Sequence, residues 1–276
     1  MTDPVFPDLP ADPPEFEIVN ADERDRVLVR DVRLAAPAGG DGPGPIEAWL
    51  IEPTIVDARS SRPGVLSAHW FDPEAPNGNR SEFVDEAADW ARRHRAAAIL
   101  PQLTFPWAGD PADSAADRDR IVAEVTRLRR CLDLLIARPA VDPARIGFVG
   151  HDFGAMHGLI LATVDRRPAA HVVVAAVPRW GDWFLPFWPI DEDRIDYLGA
   201  IRPLDPIEHA RGLAPARAMF QYGLRDFFIA PMTGRELARA AGEQGEYRSY
   251  ETAEHDMAAP EIRDDRTAFL EGVLRV

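Results

Sequence analysis

The reading of the whole chain turns on Arg145-Ile146-Gly147-Phe148-Val149-Gly150-His151-Asp152-Phe153-Gly154-Ala155. Residues 145–149 form an apolar strand, and 155–164 have the composition of a buried helix. Between them lies Gly150-His151-Asp152-Phe153-Gly154, a G-x-D-x-G turn. So short a connection strains its central residue, and only small neighbours let strand and helix approach that closely. The Asp152 side chain then stands above the end of the sheet. The N–H of Phe153, next in the chain, points into the same space as an anion donor. The bland alternative is an Asp that only caps the helix, since Asp is favoured at helix N-termini.

Outward from this turn, strands alternate with helices. Before it come a strand at 64–68, a helix at 81–95, a strand at 96–100 and an amphipathic helix at 119–138. After it come a Val-rich strand at 171–177, then strand, helix, strand and helix at 216–222, 231–241, 247–250 and 260–274. Such alternation implies a mostly parallel sheet covered by helices on both faces. Residues 26–36 and 46–51 read as two antiparallel strands around a Pro- and Gly-rich loop. Gly40, Gly42 and Gly44 in that loop make a turn rather than a phosphate cradle, because no helix follows. Residues 1–24 read as an extended N-terminal arm and 25–276 as one α/β domain. Residues 178–203 break the alternation with six aromatics, Trp180, Trp183, Phe184, Phe187, Trp188 and Tyr197. That density suits a short lid, an insertion over 178–205, walling an apolar pocket better than it suits an exposed loop.

Composition narrows the chemistry. All 31 basic residues are Arg, against 46 acidic ones, for a net charge of −15. With no Lys there is no Schiff-base enzyme and no lysine-bearing phosphate loop. The negative charge argues against nucleic acid and against an anionic membrane surface. The only cysteine, Cys131, leaves no internal disulfide. No His/Cys cluster suggests a metal. The start lacks a signal peptide's basic and apolar regions, and no apolar run approaches the ~20 residues of a membrane span. The expectation is a cytoplasmic protein without cofactor whose partner is a small-molecule substrate. A homodimer is compatible with the sequence, although no stretch marks an interface.

The turn at Asp152, set between strand and helix, resembles the nucleophile elbow of the α/β-hydrolase superfamily. The resemblance covers roughly residues 25–276 and implies an α/β-hydrolase fold. Residues 145–154, with Val141-Asp142-Pro143-Ala144 upstream, look like the dienelactone hydrolase branch. An Asp at the elbow looks instead like epoxide hydrolases and haloalkane dehalogenases. The superfamily order is nucleophile, acid, histidine. It places the acid at Asp226, where a strand runs into Gly223-Leu224-Arg225-Asp226, with Asp205 and Asp182 as fallbacks. It places the histidine at His255, after the next strand. His69-Trp70-Phe71 corresponds to the turn that supplies the second oxyanion-hole donor, here Phe71 or, next, Trp70, beside Phe153. Trp107, Trp180, Trp183, Trp188 and Tyr197 are the candidate pocket residues. His151, before the nucleophile, reads as packing.

An aspartate nucleophile is already ionised and forms an ester with the carbon it attacks. The histidine then activates water against that ester. This favours epoxides and alkyl halides, because attack on an ester carbonyl would give an anhydride. Two parts depart from the specialised families. Phe153 stands where dehalogenases place a Trp, and Tyr197 is the only lid tyrosine where epoxide hydrolases offer a pair. Hydrolysis of an ester or lactone, as in dienelactone hydrolases, is the alternative. From other classes come a catalytically inactive ligand-binding protein and a biosynthetic cyclase or isomerase on the same scaffold.

Overall fold

The computed structural model describes residues 6–36, 44–57, 59–71, 79–104, 113–187 and 189–276. Nine strands form one sheet: β1 Phe16–Arg24, β2 Val27–Leu34, β3 Ile46–Pro53, β4 Arg62–Ala68, β5 Ala97–Pro101, β6 Val141–His151, β7 Pro168–Val174, β8 Arg217–Gly223 and β9 Gly245–Tyr250. Their order is β1-β2-β3-β5-β4-β6-β7-β8-β9. Strands β4 to β9 run parallel, and β1, β2 and β3 add an antiparallel edge. Every residue of β4 and β5 is buried. That is the mark of central strands covered on both faces. By contrast β1 is exposed along nearly its whole length. Its Glu17, Asp22, Glu23 and Arg24 blunt an otherwise open edge.

The helices are α1 Val84–His94, α2 Ser114–Ile136, α3 Phe153–Val164, α4 Trp180–Phe187, α5 Arg194–Ile201, α6 Pro206–Ala210, α7 Pro231–Ala241 and α8 Pro260–Leu274. Helices α1 and α8 lie together, joined by Arg263 to Asp89 and by Arg266 to Glu86. Helices α2, α3, α6 and α7 pack one against the next. The close approaches foreseen at the elbow are present. A Cβ on Gly154 would lie 2.2 Å from the Ala68 carbonyl oxygen, and one on Gly150 would lie 2.7 Å from the Ala155 backbone. Helix α3 is therefore drawn onto the ends of β4 and β6.

Three boundaries differ from the sequence reading. The second half of the expected arm is strand β1, because its backbone finds a partner in β2. Ahead of it, Pro7, Pro10 and Asp12 are tied to α2, where Arg130 donates to the carbonyls of Pro10 and Asp12 and Arg129 to that of Pro7. Helix α2 begins at Ser114 because Asp113 caps it, accepting from Ala116 N–H at 2.8 Å. The aromatic insertion is two short helices, α4 and α5. Among the described residues no helix is long and apolar enough to cross a membrane.

Candidate active site

Asp152 occupies the strained position that the sequence assigned to it. Its backbone has φ 50° and ψ −115°, a conformation that costs a non-glycine residue of order 1–3 kcal/mol. The conformation is held by β6 and α3, with the Asp152 N–H donating to Val174 O at 2.9 Å. The helix-cap alternative does not describe this residue, because its side chain makes no capping hydrogen bond. Asp152 is 1% exposed, and its Oδ1 accepts no hydrogen bond. A buried carboxylate oxygen without a donor is costly, and such atoms concentrate at functional sites.

His255 faces the other oxygen, with Nε2 3.9 Å from Asp152 Oδ2. That separation is a close ion contact and too long for a hydrogen bond. On its far side, His255 Nδ1 donates to Asp226 Oδ2 at 2.8 Å. Asp226 Oδ1 accepts from the N–H groups of Phe228 and Ile229 at 2.8 and 2.9 Å, which fixes that carboxylate in its loop. Burial alone would favour a neutral His255, yet Asp152 and Asp226, one on each side, outweigh it and raise its pKa to about 10. Burial pushes the Asp226 pKa upward, but the hydrogen bond and charge of His255 prevail and hold it below its ordinary value. Geometry and charge thus favour a protonated His255 ring between the two carboxyl groups.

Aromatic rings enclose this group. Trp183 stacks on His255 with centroids 6.4 Å apart and planes 11° apart. Phe228 meets it edge-on at 5.2 Å, and Trp70 is tilted at 5.4 Å. Phe153 meets Trp183 edge-on at 5.3 Å. Of the other expected pocket residues, Trp180 and Tyr197 are wholly buried in packing. The Trp180 indole donates to Leu204 O at 2.8 Å, and the Tyr197 hydroxyl donates to Asp117 at 2.8 Å. The first ties α4 to the segment that leads into α6, and the second ties α5 to α2. Trp107 and Trp188 lie outside the described residues.

The anion-donor positions divide. Phe153 is the first residue of α3, at the positive end of that helix. Phe71 is half-buried against the core. Trp70 requires a correction, because its N–H donates to Glu82 Oε2 at 2.9 Å and is committed to a carboxylate. His69 fixes this turn. Its Nε2 accepts the Leu103 N–H at 2.8 Å, so its Nδ1 carries the proton and donates to Trp70 O at 2.5 Å. Burial lowers the His69 pKa, in keeping with a neutral ring.

Glu82, His151 and Phe228 are the neighbours that sequence reasoning missed. His151 Nδ1 lies 2.6 Å from Glu82 Oε1, so this histidine is more than packing. Glu82 resembles any acid before a helix, and nothing in its local pattern distinguishes it. Phe228 follows Asp226 by two residues, and that spacing to the candidate acid was its only signal. Of the fallback acids, Asp205 accepts from Trp180 N–H beneath the lid, and Asp182 lies beside Arg179. Among the described residues no group of three His, Cys, Asp or Glu side chains is placed to hold a metal ion.

No protein-family model and no curated protein matches the sequence. Solved structures do. Acetyl xylan esterase 1 from a Thermoanaerobacterium species superposes with a TM-score of 0.70 at 15% identity, covering 94% of this chain and 88% of the other. A protein from Klebsiella pneumoniae assigned as a dienelactone hydrolase gives 0.60 at 18% identity, covering 85% and 95%. A glucuronoyl esterase from Solibacter usitatus gives 0.65 at 13% identity, covering 98% and 88%. At these identities the likeness is one of fold. With the strand order and the strained elbow, it establishes that the chain has the α/β-hydrolase fold.

Proposed function

We propose that this chain is a cofactor-independent hydrolase in which Asp152 is the nucleophile, His255 the acid and base, and Asp226 its orienting carboxylate. Its substrate is a small to medium apolar electrophile attacked at saturated carbon, an epoxide ahead of an alkyl halide. The observation that carries this reading is the buried Asp152 carboxylate, one oxygen unpartnered and the other 3.9 Å from a clamped imidazolium.

Asp152 attacks an epoxide carbon, the ring C–O bond breaks, and the alkoxide takes the proton of His255. Asp152 is now a neutral ester, so one of the two charges that held that proton is gone. The neutral His255 accepts a proton from water as that water adds to the Asp152 carbonyl. The tetrahedral intermediate collapses, the carboxyl proton passes to the departing alkoxide, and Asp152 carboxylate and His255 imidazolium are restored. The anion formed during addition faces the positive N-terminal end of α3, which opens at Phe153. An alkyl halide needs no ring-opening proton, so that of His255 would have to leave a site that is 8% exposed. This favours the epoxide. It also answers the lack of paired lid tyrosines, because the Tyr197 hydroxyl is bound to Asp117 and His255 supplies the proton instead.

A second reading, hydrolysis of an ester or lactone with Asp152 as a base toward water, draws support from the esterases that share the fold. Intact-protein mass spectrometry separates the two. Wild-type protein acid-quenched during turnover of styrene oxide should carry the mass of the whole epoxide on Asp152. Asp152→Ala should gain nothing and lose turnover by about 10⁴-fold or more. A folded Asp152→Ala protein with wild-type turnover would refute both readings. Asp152-dependent consumption of p-nitrophenyl acetate without any adduct from styrene oxide or bromobutane would select the second.

A further inference from the structure

A second carboxylate–imidazole pair adjoins the first. Glu82, in the turn before α1, accepts the Trp70 N–H on Oε2 and faces His151 Nδ1 with Oε1, at 2.9 and 2.6 Å. His151 Nε2 in turn donates to the main-chain carbonyl of His255 at 2.9 Å. A carbonyl can only accept, so this nitrogen carries the hydrogen. A carboxylate on the other nitrogen is also an acceptor. One further proton is therefore held between Glu82 and His151. The ring is 1% exposed and stacks on Trp70 with centroids 5.3 Å apart and planes 4° apart.

The chain places these contacts where they matter. Trp70 ends the turn after β4, His151 precedes the nucleophile, and His255 sits in the loop after β9. Glu82 and His151 join all three. The loop around His255 is otherwise held by few backbone bonds, among them Arg225 N–H to Ala253 O at 3.0 Å and Met257 N–H to Glu254 O at 3.4 Å. We propose that Glu82 and His151 are positioning residues, holding the His255 backbone so that its ring stays in register with Asp152. They exchange no proton with substrate. The inference rests on the reading of His255 as the base toward the Asp152 ester.

The test uses the full chain and styrene oxide. His151→Phe keeps a ring against Trp70 and removes both nitrogens. It should lower kcat by about 10²-fold, the scale of a misplacement near 1 Å, with KM unchanged. Because ring opening and ester hydrolysis both use His255, a quenched single turnover of this variant should show both steps slowed. His151→Gln, which restores a donor near the Nε2 position, should recover most of the rate. A merely structural role would lower the melting temperature without the loss of kcat in the folded protein or the rescue. If the wild type yields the quenched Asp152 ester and a folded His151→Phe turns over as the wild type does, the positioning role is wrong and the nucleophile stands. If the wild type yields no ester from styrene oxide, the nucleophile reading fails, and nitrogen-15 NMR of the imidazoles decides the pair alone. His151 Nε2 should then carry hydrogen in the resting protein and Nδ1 should show the signature of its hydrogen bond to Glu82, which Glu82→Gln should change. A His151 ring exchanging freely in the wild type would overturn the proposal.

Discussion

Two histidines lie side by side in this molecule, with ring centroids 5.3 Å apart. Each presents Nδ1 to a carboxylate, His255 to Asp226 at 2.8 Å and His151 to Glu82 at 2.6 Å. They differ at Nε2. That of His151 is bound to a carbonyl and has no further capacity. That of His255 faces a carboxylate across 3.9 Å, close enough for strong attraction and too far for a bond. A carboxylate–imidazole pair is therefore not itself a catalytic device. It becomes one only when the second nitrogen is left toward a reacting group, and the strained elbow arranges this by placing Asp152 there.

The largest expected break in this comparison comes from changing the two orienting acids in parallel. Asp226→Asn removes the acceptor that fixes the His255 tautomer and one of the two charges that protonate it. Turnover of styrene oxide should fall by about 10⁴-fold, the size found for the matching change in a serine protease. Glu82→Gln keeps an acceptor for Trp70 N–H and should lower turnover far less, by about 10-fold. Steady-state kinetics on the two variants checks the order. Equal losses would mean that the two pairs work as one.

Much of this arrangement was legible because its signals are local. Gly150 and Gly154 around Asp152 announced a turn that only small residues permit, and the alternation on either side announced the parallel sheet. Asp226 and His255 followed from the resemblance and the order of elements, and the structure brings both to Asp152. The lid residues were less legible. Their number was a true signal of packing, yet composition cannot say which face of a short helix an aromatic takes. Trp183 faces His255, whereas Trp180 and Tyr197 turn to Leu204 and Asp117. Glu82 was not legible at all, because its partners Trp70, just after β4, and His151, at the end of β6, meet only in the folded sheet.

A smaller effect sharpens the role of Asp152 itself. With both carboxylates present, the His255 pKa is raised to about 10. Asp152→Asn removes one charge without changing shape, so the pKa of His255 should fall toward its ordinary value. A raised folded-state value stabilises the protein below the unfolded pKa, about 6.5, and that stability is lost as pH rises through about 10. Between those limits the wild type should lose melting temperature with rising pH, and Asp152→Asn should lose less. A proton NMR titration of the His255 ring gives the direct answer. An unchanged His255 pKa in the variant would mean that Asp152 does not hold the proton.

The smallest effect concerns Asp205, a carboxylate that has no imidazolium. It accepts the Trp180 N–H at 3.0 Å where the lid begins, and burial raises its pKa to about 7. The contrast with Asp226, held low by His255, shows what a charged partner is worth to a buried acid. The sign for stability is opposite to that of an ion-paired acid. The folded protein binds the Asp205 proton more tightly than the unfolded chain, so stability falls as pH rises from about 4 to about 7 and stays lowered above that. Asn at this position keeps an oxygen for the Trp180 N–H and cannot ionise. Asp205→Asn should therefore melt slightly higher than the wild type at pH about 8, with the difference shrinking as pH approaches 4. The positive N-terminal end of α4 and the guanidinium of Arg179 favour the ionised acid and keep the gain small. A loss of melting temperature at pH about 8 that disappears near pH 4 would show that the negative charge of Asp205 outweighs its burial.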